Sequence, residues 1–171
     1  MPKKVYNNVE GHRMIVDGMV AEDVTSVGLP SVEHPTSTIS SSGMAMDVDM
    51  PNTTHINAME MSVNHNNGEN CSLLSTPGKH NLEFRTVRQR YNVPKGTLEH
   101  ESVKFRCVVV HKSTEDGTIE LGNPYGSTVK FSVLRYEKEV NGKVVMLVDA
   151  MTGDIKINGK NYSEQVESLL N

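Results

Sequence analysis

Two features of this sequence predict a mainly β domain, a sandwich or barrel carrying one or two accessory helices. Short runs of alternating apolar and polar residues recur along the chain, which is the two-residue period of a strand with one buried face. Between such runs stand Asp17-Gly18, Asn141-Gly142 and Asn158-Gly159. These pairs favour the type I′ hairpin turn, because both of its central residues need positive φ. Strands spaced by turns of this kind pack as sandwiches or barrels. No internal repeat at a fixed period is visible.

The elements follow in order. Residues 12–17 alternate weakly and run into Asp17-Gly18, so they predict one arm of a hairpin, with 19–27 as its partner and Leu29-Pro30 as its end. Residues 56–63 predict a strand, with Met59, Met61 and Val63 on one face. Residues 69–75 are the interior candidate for a short helix, closed by Pro77-Gly78. Strands are then predicted over 82–93, 102–112, 128–140 and 143–150, with a short one at 155–157. Residues 163–170 predict a helix in which Ser163 can cap the first turn and Val166, Leu169 and Leu170 share a face.

Residues 31–54 break this pattern. Small hydroxyl residues crowd its middle, and then Met44, Met46, Val48 and Met50 alternate with Ala45, Asp47 and Asp49. A domain linker is one reading, but the flanking segments are too small to be separate domains. A structureless loop of this length inside a compact domain is functional or disordered. The expectation is therefore one domain over residues 1–171, with 31–54 as an extended arm whose apolar stripe orders on a neighbouring subunit. A hairpin packing on its own subunit is the alternative.

Composition narrows the function classes. The chain has 171 residues, 36% of them hydrophobic, with 5% aromatic residues, no Trp and ten Met. That is a thin core for a monomer and suits subunits that complete their burial on assembly. The net charge of −4 is no footprint for tight nucleic-acid binding. No apolar run approaches the ~20 residues of a membrane span, and the N-terminus lacks the apolar stretch of a signal peptide. Membrane anchoring is not expected, and synthesis in the cytoplasm is.

Searches for chemistry return little. Cys71 and Cys107 lack metal-ligand spacing and read as reduced or buried. The seven His form no close pair of the kind that holds a metal. Asp47 and Asp49 lack the third ligand and the glycine of a calcium loop, and Ser40-Ser41-Ser42-Gly43 has no partner base or acid at readable spacing. No catalytic residue, cofactor or metal is expected. The cluster of Arg85, Arg88, Arg90 and Tyr91 allows two readings. It could stack and hold single-stranded nucleic acid, which would make the chain a nucleic-acid-binding β-barrel. The acidic balance favours ion pairs with carboxylates of an adjoining protomer instead.

Three stretches then carry a resemblance. The first is Val16-Asp17-Gly18 followed by Val24-Thr25-Ser26-Val27-Gly28-Leu29-Pro30-Ser31-Val32. The second is Gly43-Met44 followed by Val48-Asp49-Met50. The third runs from Tyr136 through Asn141-Gly142-Lys143, Val148-Asp149 and Ile157-Asn158-Gly159-Lys160-Asn161-Tyr162 to the closing helix. In this order and spacing they resemble the major tail tube proteins of contractile-tailed phages and of R-type pyocins. Residues 64–130 agree only as pattern, and His34-Pro35-Thr36-Ser37-Thr38 lacks the basic residues usual before the second stretch.

The resemblance implies a β-sandwich or barrel with a flanking helix. Six copies would form a ring whose inner wall is one continuous β-barrel, and rings would stack into a tube within a contractile sheath. The partners implied are other copies of the chain, the sheath protein, and baseplate and terminator proteins. DNA would pass through the bore in a phage tail and not in a bacteriocin. The particle would be assembled in the host as a virion tail or released outside the cell. The contacts expected between subunits are Met44, Met46, Val48 and Met50 from the arm and Arg85, Arg88 and Arg90 from the strand. An acidic or mixed lumen wall is expected, with the arginines neutralised by neighbouring carboxylates.

Overall fold

The computed structural model describes residues 2–171. In chain order these form β1 (Lys4–Val16), β2 (Met19–Ala21), β3 (Val24–Gly28), β4 (Thr36–Ile39), β5 (Val48–Pro51) and β6 (Met59–His65). A 3-10 turn (Cys71–Ser75) follows, then β7 (Lys79–Asn92), β8 (Thr97–Asp116), β9 (Ser127–Val140), β10 (Lys143–Asp149), β11 (Ile155–Ile157), β12 (Lys160–Asn161) and α1 (Glu164–Leu170).

Ten strands make one antiparallel sheet in the order β12-β11-β10-β9-β8-β7-β1-β2. It forks at β9. Residues Ser127 to Val133 of β9 pair with β6, and Arg135 to Val140 pair with β10. β6 in turn carries β3. The β6 branch curls back over the sheet until His12 Nε2 of β1 meets the Val24 carbonyl of β3 at 2.8 Å. The result is an incompletely zipped barrel with β10–β12 as a side wing.

Alternation explains the core. Leu82 and Phe84 of β7, Val103, Phe105, Cys107 and Val109 of β8, and Val129, Phe131 and Val133 of β9 all point inward. Met14 and Val16 of β1 and Met59, Met61 and Val63 of β6 meet them from the two sides. Leu74 on the 3-10 turn is fully buried and helps plug the barrel. Each such side chain contributes roughly 1.5–3 kcal/mol by leaving water. The Phe105 and Tyr136 rings stack at 6.2 Å inside it.

All three predicted hairpin turns have the required backbone. Asp17 and Gly18 sit at φ 48 and 87, Asn141 and Gly142 at 49 and 81, and Asn158 and Gly159 at 51 and 83. Several sequence expectations are corrected. The predicted arm over 19–27 divides at Asp23 (φ 60), because Met19–Ala21 pairs with β1 while Val24–Gly28 leaves to pair with β6. The helix expected over 69–75 is a 3-10 turn of five residues, too short for a second α-turn before Pro77-Gly78. Ser163 does not cap α1 with its side chain. Its hydroxyl donates instead to Asn161 Oδ1 at 2.8 Å, and Val166, Leu169 and Leu170 remain exposed.

At Gly142 nothing lies within 4 Å of where a Cβ would stand, so a side chain there meets backbone strain alone. Gly142→Val should lower stability by roughly 1–3 kcal/mol, read as a shifted urea midpoint at unchanged slope.

Candidate assembly surface

β8 outruns the core. Its residues Thr97 to Val110 are paired with β7, but β9 joins only at Val103. The far ends of β1, β7 and β8 therefore project as a three-stranded extension. On the inward-facing side the apolar ladder gives way to charge. Arg88 lies opposite Glu101 and Arg90 opposite Glu99. Arg88 Nε donates to Glu101 Oε2 at 2.6 Å, Arg90 Nη1 to Glu101 Oε1 at 3.0 Å, and Arg90 Nε to Glu99 Oε2 at 3.0 Å. Asn92 and Asn141 donate to Glu99 and Glu101. The Glu101 side chain is only 4% exposed, so it needs these donors. The Asn92 amide, ahead of the Arg90 charge, holds the Glu99 carboxyl below its ordinary range. The Arg88 guanidinium also covers the Tyr6 ring at 4.3 Å.

The other face of the same sheet is a charged ladder. Arg106 Nη1 bridges Glu137 and Glu139 at 2.8 Å each, Arg85 pairs with Glu83 at 2.5 Å, and Arg135 pairs with Glu137 at 3.3 Å. Arg85, Arg88 and Arg90 thus all find carboxylates within their own chain. Cross-strand neighbours reach Arg88 and Arg90, and Glu83 two residues back on the same strand reaches Arg85.

The segment expected as an arm is a separate two-stranded hairpin of β4 and β5, outside the main sheet. Asn57 N–H donates to the Glu33 carbonyl and Asn52 N–H to the Pro35 carbonyl at its base. Ile39 pairs with Val48 and Ser37 with Met50, so Ile39, Val48 and Met50 share one face. Thr38 and Asp49 share the other, where the threonine hydroxyl donates to the carboxylate at 2.7 Å. The predicted strand alternation from Met44 holds only from Val48 onward. Met44 and Met46 lie in the connecting loop, where Gly43 takes φ 97 and Met44 N–H returns to the Ser41 carbonyl. All four of these residues are exposed, Met46 by 72%.

The sequence matches the Phage tail tube protein FII family over residues 7–170. The chain belongs to that family. Among solved structures, this tube protein is similar to a chain in a cryo-EM structure of an extracellular contractile injection system, the PVC sheath-tube complex in its extended state. The TM-score is 0.52 at 10% identity, covering 75% of this chain and 87% of that one. At that identity the likeness speaks for the fold. No curated protein matches the sequence.

The remaining polar clusters of the tube protein serve its fold. Asp17 in the first turn accepts the Asn81 backbone N–H at 2.8 Å and His80 Nδ1 at 2.8 Å, while His80 Nε2 faces the Thr76 carbonyl at 2.6 Å. Burial works against the His80 cation, but both ring nitrogens face acceptors and Asp17 adds its charge, so its pKa is raised. Burial also works against the Asp17 carboxylate and is outweighed by Asn81 and then His80, so its pKa is lowered. Cys71 and Cys107 are free and buried, and burial pushes the Cys107 thiol up to about 12. Among the described residues no three His, Cys, Asp or Glu side chains come together as a metal site.

Two outcomes are expected. Glu101→Ala strands the Arg88 guanidinium and leaves Arg90 to Glu99 alone, so it should cost about 2 kcal/mol, whereas Arg85→Ala at the exposed pair should stay within about 0.5 kcal/mol; urea midpoints compare them. The His80–Asp17 pair has a pH window. The histidine's raised pKa makes its contribution full below its ordinary 6.5 and lost as pH rises through the folded value. The carboxylate's lowered pKa makes its contribution full above 3.8 and lost as pH falls through the folded value. The stability gap between the native chain and His80→Gln should be widest between those limits and narrow in alkali, as midpoints across a pH series would show.

Proposed function

We propose that this chain is the subunit of the inner tube of a contractile injection particle, assembled as rings of six that stack inside a sheath and form a conduit. Its membership of the tail tube family carries the reading. The free strand edges of the extension supply the physical means. Among the described residues, β1 over Lys4 to Asn8 and β8 over Thr97 to Glu101 each have one edge with no strand partner. Such edges pair with other chains unless something covers them, and head-to-tail contacts between unlike edges close into rings when the rotation allows. The role is structural, with sheath, baseplate and terminator proteins as partners and no chemistry of its own. The arm contributes further contacts through Met44, Met46, Val48 and Met50.

A nucleic-acid-binding barrel is the weaker reading, because Arg85, Arg88 and Arg90 already hold carboxylates. Phosphate binding needs cations free to displace counterions. The same pairing suits a bore through which DNA slides without being gripped.

Negative-stain microscopy of concentrated protein should show rings or tubes; monodisperse small particles would sink the proposal. A salt-dependent shift of labelled single-stranded DNA would favour the other reading. Removing residues 37–42, most of β4 and the start of the loop after it, should leave the far-ultraviolet circular dichroism nearly unchanged while sedimentation shows lost assembly.

A further inference from the structure

The incompletely zipped side of the barrel leaves a groove of about 470 Å³ between β1 and β3. Its floor is Phe84, Val103 and Phe105, and its rim carries the exposed Val9 and Leu29. Both walls are strands with an unpaired edge. β3 pairs only with β6, and β2 covers only Met14 to Val16 of β1. Across the gap His12 Nε2 lies at hydrogen-bond distance from the Val24 carbonyl. The groove contains no carboxylate. Its cations are Arg88, already engaged by Glu101, and Lys138. Lys138 Nζ lies 5.9 Å from the Phe105 ring centre and joins none of the ion pairs among the described residues.

The β4–β5 hairpin has the opposite character. From Pro35 to Pro51 it holds Asp47 and Asp49 and no Lys or Arg. It offers the uncovered apolar face of Ile39, Val48 and Met50. Its base is tied to the chain ahead of β6, where Asn57 N–H meets the Glu33 carbonyl, and none of its residues lines its own groove. An extended acidic and apolar strand suits a basic-edged apolar slot flanked by open strand edges, where added backbone hydrogen bonds give affinity and side-chain pockets give register.

We propose that the groove between β1 and β3 receives the β4–β5 hairpin of a second copy of this chain, with Val48 and Met50 on the aromatic floor and Asp47 beside Lys138. This rests on the tube reading and names the receptor for the arm. The contact would lock neighbouring subunits by the same segment that the fold leaves outside its core.

Cysteine pairing tests it cleanly, since both native thiols are buried. Subunits carrying Thr25→Cys are mixed with subunits carrying Val48→Cys or Met50→Cys, allowed to assemble, and oxidised. Mixed dimers should appear on non-reducing gels and be absent when either variant stands alone. Lys138→Glu should abolish tubes, and Asp47→Lys in the same chain should restore them. Assembled tubes with no 25–48 or 25–50 cross-link, or intact tubes from Lys138→Glu, would overturn the groove assignment and leave the tube reading standing. A cross-link from Thr25→Cys to Leu169→Cys in its place would give the groove to α1 and overturn it too. Absence of tubes from the unmodified protein would overturn both.

Discussion

The length of β8 governs the rest of the structure. It runs twenty residues, where strands of globular domains usually run about five or six. β7 pairs with it over fourteen positions, so the hairpin is rigid well past the point where core remains to be covered. One end closes a barrel around Phe105, Cys107 and Val109. The other end has to stand in water as a thin sheet. The change from Phe105 and Val103 to Glu101 and Glu99 along one face of one strand marks that transition.

Charge holds the extension in shape where apolar burial cannot. Glu101 is buried by its arginines, and Glu99 is tied by Asn92 and Arg90. Breaking such a set leaves an ion without its partner, which is far worse than never having had it. The set therefore acts as a registry device more than as a source of net stability. It fixes how β7 and β8 meet at their tips.

The molecule leaves much unburied. The β4–β5 hairpin, the helix α1 and the slot between β1 and β3 all expose apolar side chains, and large exposed patches on a soluble chain mark places where other chains sit. For a member of a tube family this incompleteness fits the proposed assembly. A subunit that finished its own core would have little reason to assemble, and one with every strand edge covered could not extend its sheet into a neighbour.

Alternation and turn chemistry determined most of the architecture from sequence alone. Asp17-Gly18, Asn141-Gly142 and Asn158-Gly159 marked their hairpins because a type I′ turn admits few other pairs, and inward residues such as Met61, Val63, Val129 and Phe131 followed from period two. The opposition of Arg88 to Glu101 and Arg90 to Glu99 was also legible, had Val93-Pro94-Lys95-Gly96 been read as a turn. The outer part of β8 carries no apolar alternation to mark it as a strand. Tertiary structure alone decided the parting of β2 from β3, since either partner suits the local pattern and only the curl of β6 over the core selects one. It alone decided that Arg88 and Arg90 pair within the chain, because cross-strand distance depends on register and not on composition. It also decided that the Met-rich segment is a free-standing hairpin, because local pattern specifies which face is apolar and cannot specify what that face meets.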